Sequence, residues 1–401
     1  MTRTLFTGAM IFDGTGAPPA PGDVAVEDGR ITEVGVGLDG DERVDVGGRT
    51  LLPGLFDCHT HVVVSHVDEL RNLHAPFSYR FYEAARNLDA TLRAGITTVR
   101  DAGGADLGIK QAVGDGLIRG PRMQISLSMI SQTGGHGDSW VASGQEVHTF
   151  FPPHPGIPDT RVDGPDEVRR VVRQLVRMGA DVIKVATSGG VLSPRDRPTH
   201  AHLRPAELEA LVEEAEAAEV FVMAHAQATP GIKNAIRAGI RSIEHGIYLD
   251  DEAIELMLER GTWLVPTLLA PRGVLRAAEA GAAIPPAAVA KAREVVDIHR
   301  DAFSRAVSAG VRIAMGTDSG VTPHGENLGE LPLMVEGGMS PAQALVATTR
   351  GAAELMALDG ELGTIEPGKR ADLIVVDGDP LQIATLGERI EAVYQDGNRV
   401  V

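Results

Sequence analysis

The run Leu55-Phe56-Asp57-Cys58-His59-Thr60-His61 ends an apolar stretch in two histidines two residues apart. Side chains alternate across a strand, so His59 and His61 share a face and are close enough to share one metal ion. Four more polar residues close apolar runs further along. Lys184 stands among β-branched residues in Asp181-Val182-Ile183-Lys184-Val185-Ala186, and His225 closes Val220-Phe221-Val222-Met223-Ala224-His225. His245 closes Ile243-Glu244-His245, and Asp318 ends Ala314-Met315-Gly316-Thr317-Asp318. Each has a plain reading by itself: a satisfied histidine, a snorkelling lysine, an aspartate that starts a turn. Six unrelated reasons for the same end of a strand are harder to supply than one shared reason, a metal centre. Burying an ammonium is costly, which marks Lys184 as a lysine held neutral or modified.

The elements that must position these residues can be read from periodicity. Eight apolar, strand-like runs fall near 55–61, 96–101, 123–130, 181–187, 220–225, 241–245, 262–267 and 311–318, separated by helical patterns. Between the third and fourth, Val168, Val171, Val172, Leu175 and Val176 recur at helical spacing while Arg169, Arg170 and Arg173 face outward. Asp163-Gly164-Pro165-Asp166-Glu167 supplies the helix start. Such alternation predicts an α/β fold, a parallel (β/α)8 TIM barrel, with a doubly wound open sheet as the alternative. Catalytic residues of a barrel sit at the C-terminal ends of its strands, where all six candidates fall. Short extended runs in residues 1–52 and 360–401 predict a small β-sandwich domain built from both termini, leaving 53–359 as the barrel. Asp28-Gly29 between two of those runs is a hairpin signal.

Composition narrows the function classes. A formal charge of −18 repels phosphate backbones and anionic lipid, which argues against nucleic acid and membrane as partners. No apolar run approaches the roughly 18 residues of a membrane span, and the first residues lack a secretory signal, so a cytoplasmic protein is expected. The single cysteine, Cys58, cannot form an internal disulfide, and it faces away from His59 and His61 as a packing residue.

These residues and their order resemble the amidohydrolase superfamily, and the resemblance covers nearly the whole chain. The stretches Ser131-Gln132-Thr133-Gly134-Gly135-His136, Lys184-Val185-Ala186-Thr187-Ser188-Gly189-Gly190 and Gly316-Thr317-Asp318-Ser319-Gly320 are most similar to the prolidase and Xaa-dipeptidase group, close to imidazolonepropionase-like enzymes. The resemblance implies a binuclear centre. His59, His61 and Asp318 would hold one divalent ion, His225 and His245 a second, with Lys184 bridging them as a carbamate formed with carbon dioxide. Nitrogen and oxygen ligands without thiolate suit zinc, with manganese or iron as alternatives. Asp318 would also serve as proton acceptor and donor in carbon–nitrogen hydrolysis.

The implied substrate is a small amide carrying a free carboxylate, a Xaa-Pro dipeptide or an N-acyl amino acid, taken up by a homo-oligomer. Long loops at 131–162 and 188–203 should wall its pocket, with His136, Arg195 and Arg197 as donors for the carboxylate and His324 as a further contact. His200 and His202 share that setting, whereas His66, His74, His148, His154 and His299 read as surface or packing residues. Gln227 stands two residues after His225, where prolidase-type members carry a tyrosine that helps hold the carboxylate. A neutral cyclic amide, lactam or carbamate-type substrate is therefore the alternative. Two more distant readings are a Schiff-base lyase using Lys184 and a non-catalytic scaffold; borohydride trapping and metal analysis would separate them.

Overall fold

The structure, a computed structural model, describes residues 2–193 and 196–401. From the N-terminus come five strands, β1 (Thr4–Ile11), β2 (Ala20–Glu27), β3 (Arg30–Gly35), β4 (Glu42–Asp45) and β5 (Thr50–Pro53). The central strands are β6 (Leu55–Thr60), β7 (Ile96–Asp101), β8 (Arg122–Ile125), β9 (Met129–Ile130), β10 (Val182–Ala186), β11 (Phe221–Ala226), β12 (Ser242–His245) and β13 (Trp263–Val265). Three more follow near the C-terminus, β14 (Leu373–Val376), β15 (Ile390–Gln395) and β16 (Asn398–Arg399).

Strands from the two ends of the chain join one sheet in the order β16-β15-β14-β5-β1-β2-β3, with β4 alongside β1. The β2–β3 hairpin turns at Asp28 and Gly29, both at positive φ (48° and 75°), the conformation that the Asp-Gly pair favours. This sheet has its own apolar core, in which Phe6, Val24, Ile31, Leu51 and Leu373 pack with Tyr394. The Phe6 and Tyr394 rings, 388 residues apart in sequence, meet edge to face at 4.9 Å.

The central strands form parallel sheets that run in chain order, β6-β7-β8 and β9-β10-β11-β12-β13, without the reversal of order that a doubly wound sheet requires. Their neighbours in sequence are helices, so the hydrophobic faces on the outside are covered as a parallel α/β fold demands. The helix expected after residue 163 runs Pro165–Arg177 and buries Val168, Val171, Val172 and Leu175. No helix among the described residues is long and apolar enough to cross a membrane.

Two of the eight expected runs depart from a plain strand. The third divides at Leu127, whose φ of 65° turns the chain, so that β8 pairs with β7 while β9 pairs with β10. The eighth, 311–318, forms no continuous ladder. Leu264 N–H donates to Arg312 O at 2.8 Å, and Cys58 N–H donates to Met315 O at 2.9 Å. Asp57 explains the irregular end, because its buried carboxylate accepts from Thr317 N, Thr317 Oγ1 and Asn327 Nδ2 in place of a regular backbone pairing. Cys58 lies in an apolar cluster with Phe56, Trp263 and Val265.

Candidate metal centre

All six candidates meet at one end of the central strands. Register brings Lys184 beside Met223 and Ala186 beside His225, which sets Lys184 and His225 on one inner face. Lys184 Nζ is 3.4 Å from His59 Nε2. Asp318 Oδ1 is 3.5 Å from His59 Nε2 and 3.2 Å from His61 Nε2. The His59 and His245 rings are 5.1 Å apart, and His225 and His245 4.7 Å. One potential ligand atom each from His59, His245 and Asp318 lies within 4.8 Å of the others.

Each histidine is anchored through one ring nitrogen. His59 Nδ1 meets Glu244 Oε2 at 2.7 Å, His61 Nδ1 meets Gly103 O at 2.8 Å, His225 Nε2 meets Gly189 O at 3.1 Å and His245 Nδ1 meets Thr267 Oγ1 at 2.7 Å. A carbonyl or carboxylate can only accept, so it fixes the proton on the nitrogen that faces it and leaves the lone pair on the other. Partners of this kind orient metal-binding imidazoles. Burial and the Lys184 charge push His59 well below the usual histidine value, and burial does the same to His225 and His245, so these rings are neutral. Burial also pushes the Lys184 ammonium down to about 8. Burial alone would raise the Asp318 carboxyl, yet the His61 contact and nearby charges hold it well below the usual carboxylate range.

Within this cluster two acceptors face each other. With its proton on Nδ1, neutral His59 turns a lone pair toward Asp318 Oδ1 at 3.5 Å. Two such acceptors repel unless a cation stands close by, a place the Lys184 ammonium takes at 3.4 Å from His59 Nε2 and a metal ion would take once that amine is neutral. Backbone strain points the same way: His245 and Asp318 sit at φ 71° and 60°, a region costing about 1–3 kcal/mol for such residues and found where function holds them. The donor set, imidazole nitrogens with one carboxylate, matches a divalent transition ion.

The amidohydrolase family model matches residues 50–400. This chain belongs to the amidohydrolase family. It is 35% identical over 414 aligned residues to the ochratoxinase of Aspergillus niger, a match covering 97% of this chain and 84% of that one. Two solved structures are similar across 99–100% of this chain and 99% of theirs. One is a Xaa-Pro dipeptidase with bound methionine (TM-score 0.90, 33% identity), the other a prolidase complexed with N-methylphosphonate-L-proline (TM-score 0.91, 36% identity). The chain is thus a carbon–nitrogen bond hydrolase.

In this amidohydrolase the six residues open onto a cavity of about 400 Å³, within the range of small-molecule sites. His136 and Gln227 line it, as do Trp140, Phe150 and Phe151 from the 131–162 loop and Val191 to Ser193 from the next. The other expected contacts fare differently. Arg195 lies outside the described residues. Arg197 is exposed and away from the lining, and the structure does not bring His324 to the cavity either. His324 Nε2 meets Val64 O at 3.0 Å and its Nδ1 faces Thr91 Oγ1 at 3.4 Å, so the ring serves packing. His200 is exposed and His202 buried, both off the lining. Conversely, His148, read from sequence as a surface or packing residue, lines the cavity because the 131–162 loop folds back over the strand ends. His299 packs as expected but also borders the cavity, and its Nε2 meets His245 O at 2.9 Å.

Sequence reasoning missed the residues behind the imidazoles. Arg100 of β7 donates to Glu244 Oε1 at 2.9 Å, and Glu244 in turn holds His59. Both charges are buried, and a buried charge requires a partner. That requirement was the available signal: one arginine and one glutamate, each inside an apolar strand. Thr267, at φ 53°, and Gly103 carried no comparable signal.

Proposed function

We propose that this amidohydrolase is a two-metal hydrolase of small amides, acting on Xaa-Pro dipeptides or N-acyl amino acids. The observation that carries the metal reading is the lone pair of His59 turned on Asp318 Oδ1, with Lys184 Nζ beside the same nitrogen and, among the described residues, no carboxylate hydrogen-bonded to that lysine. His59, His61 and Asp318 would hold one ion and His225 and His245 the other. Lys184, whose ammonium burial pushes down to about 8, would join them as a carbamate formed from its free-amine fraction. Divalent ions there, zinc the best match to the donors, would supply a Lewis acid for the scissile carbonyl and activate water near neutral pH. Asp318, kept ionised, accepts the proton of the attacking water and delivers it to the leaving nitrogen. Neutral rings at His225 and His245 keep their lone pairs for binding, and the walls from the 131–162 loop limit access of bulk water.

The architecture proposed for this chemistry is a closed eight-stranded barrel over 53–359 and a β-sandwich from 1–52 and 360–401. Hydrogen bonds from the 311–318 run to both β13 and β6 support closure. The shared sheet and core of the chain ends support the second domain.

Metal analysis of purified active enzyme should give two divalent ions per chain, and His59→Asn or His225→Asn should each abolish hydrolysis. A stoichiometry near one in fully active enzyme removes the bridged centre.

For the substrate, support comes from the relatives that are a prolidase and a Xaa-Pro dipeptidase. With Arg197 away from the cavity, His136 and Gln227 are the contacts expected from sequence that line it and could receive a carboxylate. A free acid should then be cleaved faster than its C-terminal amide by about tenfold, equivalent to about 1.4 kcal/mol, and His136→Ala should narrow the gap. The neutral-substrate reading has one observation in its favour: Gln227 Oε1 is buried without a hydrogen-bond partner among the described residues, where it could accept from an amide N–H. Equal rates for acid and amide would favour it.

A further inference from the structure

His136 reaches the cavity from a long loop, where an imidazole left to itself would sample several rotamers. Its ring instead lies flat on His225, centroids 4.1 Å apart and planes 14° apart. His136 Nδ1 is 2.9 Å from Ser193 Oγ and 3.5 Å from Asp196 Oδ2. The Ser193 hydroxyl donates to Asp196 Oδ1, so it is free to accept from His136 Nδ1–H. That order of donors leaves Nε2 as the nitrogen for a ligand in the cavity, an acceptor in the neutral ring and a donor to a carboxylate only in the imidazolium.

The carboxylate behind this chain is itself held. Asp196 has only 2% of its side chain exposed, and Gly190 N–H donates to its Oδ1 at 3.3 Å. Its Oδ2 has no hydrogen bond among the described residues, the His136 contact being its nearest charged approach. Burial would raise the Asp196 carboxyl, but His136 and Ser193 hold it well below the usual carboxylate range. Lys291, from the helix Pro286–Ala309, donates to three carbonyls of the same segment: Gly190 O at 3.0 Å, Ser193 O and Asp196 O both at 2.7 Å. A Cβ at Gly190 would stand 2.3 Å from His136 Cε1, so a larger residue there would push the ring from this position. A surface loop merely capped by its own aspartate would need neither the helix clamp nor contact with a ring in the cavity wall.

We propose that Ser193 and Asp196, clamped by Lys291, are positioning residues that fix His136 on His225 with Nε2 presented to the substrate. This rests on the reading of His136 as a substrate contact. The logic is that of a carboxylate orienting an imidazole whose far nitrogen does the work.

The test is a double-mutant cycle in the metal-loaded enzyme, on whichever dipeptide or N-acyl amino acid the wild type cleaves best. His136→Ala should lower kcat/KM tenfold or more. Asp196→Ala should lower it about five- to tenfold, mostly through KM, with metal content unchanged. The double variant should be no worse than His136→Ala, because Asp196 acts through that ring. Asp196→Asn, which keeps the shape and an acceptor for the Ser193 hydroxyl, should recover part of the loss. Should Asp196→Ala fail to fold, Ser193→Ala breaks the same link with little change of volume and is expected to show the same non-additivity. Losses that multiply in the double variant, or unchanged kinetics in both Asp196→Ala and Ser193→Ala, overturn the proposal. A silent His136→Ala would instead remove the substrate-contact reading and this proposal with it.

Discussion

Lys184→Ala is expected to lose bound metal and more than about a hundredfold of activity, since even partners one step removed from a metal cost about 10–100-fold. The side chain is 2% exposed, lies 3.4 Å from His59 Nε2, and is pushed by burial down to about 8. At neutral to mildly alkaline pH a useful fraction is therefore the free amine, the form that adds carbon dioxide. The carbamate proposed there would be an anionic ligand with two oxygens, which alanine cannot replace. A short carboxylic acid in the assay should restore part of both metal content and rate, because it brings two oxygens into the space left by the side chain. Lys184→Arg should not recover, since it keeps the charge but forms no carbamate here. A fully active Lys184→Arg enzyme would rule out the bridge.

Glu244→Ala should produce the largest change in stability. Glu244 Oε1 accepts from Arg100 Nη2 at 2.9 Å and from Ser242 Oγ at 2.6 Å, while its Oε2 holds His59 Nδ1. Arg100 also donates through Nε to Cys58 O at 2.7 Å, so it ties β7 to β6 and β12 inside the strands. Removing one partner of a buried pair leaves the other charge uncompensated, a cost of about 3–5 kcal/mol. It also frees the His59 ring, and metal affinity should fall about 10–100-fold. The two effects can be separated. Replacing Arg100 and Glu244 together by leucine removes the unpaired charge and should recover much of the thermal midpoint. It should not recover metal affinity, because nothing then orients His59. If the double variant binds metal as tightly as the wild type, Glu244 has no role in holding His59.

How far each feature was legible follows from how local its cause is. The six strand-end residues were visible because period-two alternation and the end of an apolar run are properties of a few consecutive residues. The Asp-Gly hairpin and the Pro165 helix start were visible for the same reason. Division of the third run at Leu127 was not, since nothing about a leucine announces a φ of 65°. The irregular eighth run was hidden for another reason: Asp57, 260 residues from Thr317, takes the hydrogen bonds that a ladder would have used.

Contacts with substrate were the least legible, because loops are placed by what they pack against. His136 and Gln227 line the cavity, but Arg197 and His324, equally plausible by position in the chain, do not. His324 spends its nitrogens on Val64 and Thr91 from other segments. His148 entered the cavity only because its loop folds back over the strand ends. By itself the sequence determined the family, the hydrolytic class and the set of residues proposed to hold metal, since those depend on residue type and order along strands. Tertiary structure alone decided which nitrogen of each histidine faces inward and which buried charge stands behind it. Those choices depend on hydrogen-bond partners tens to hundreds of residues away, such as Glu244 for His59 and Asp196 for His136, and no local pattern encodes them.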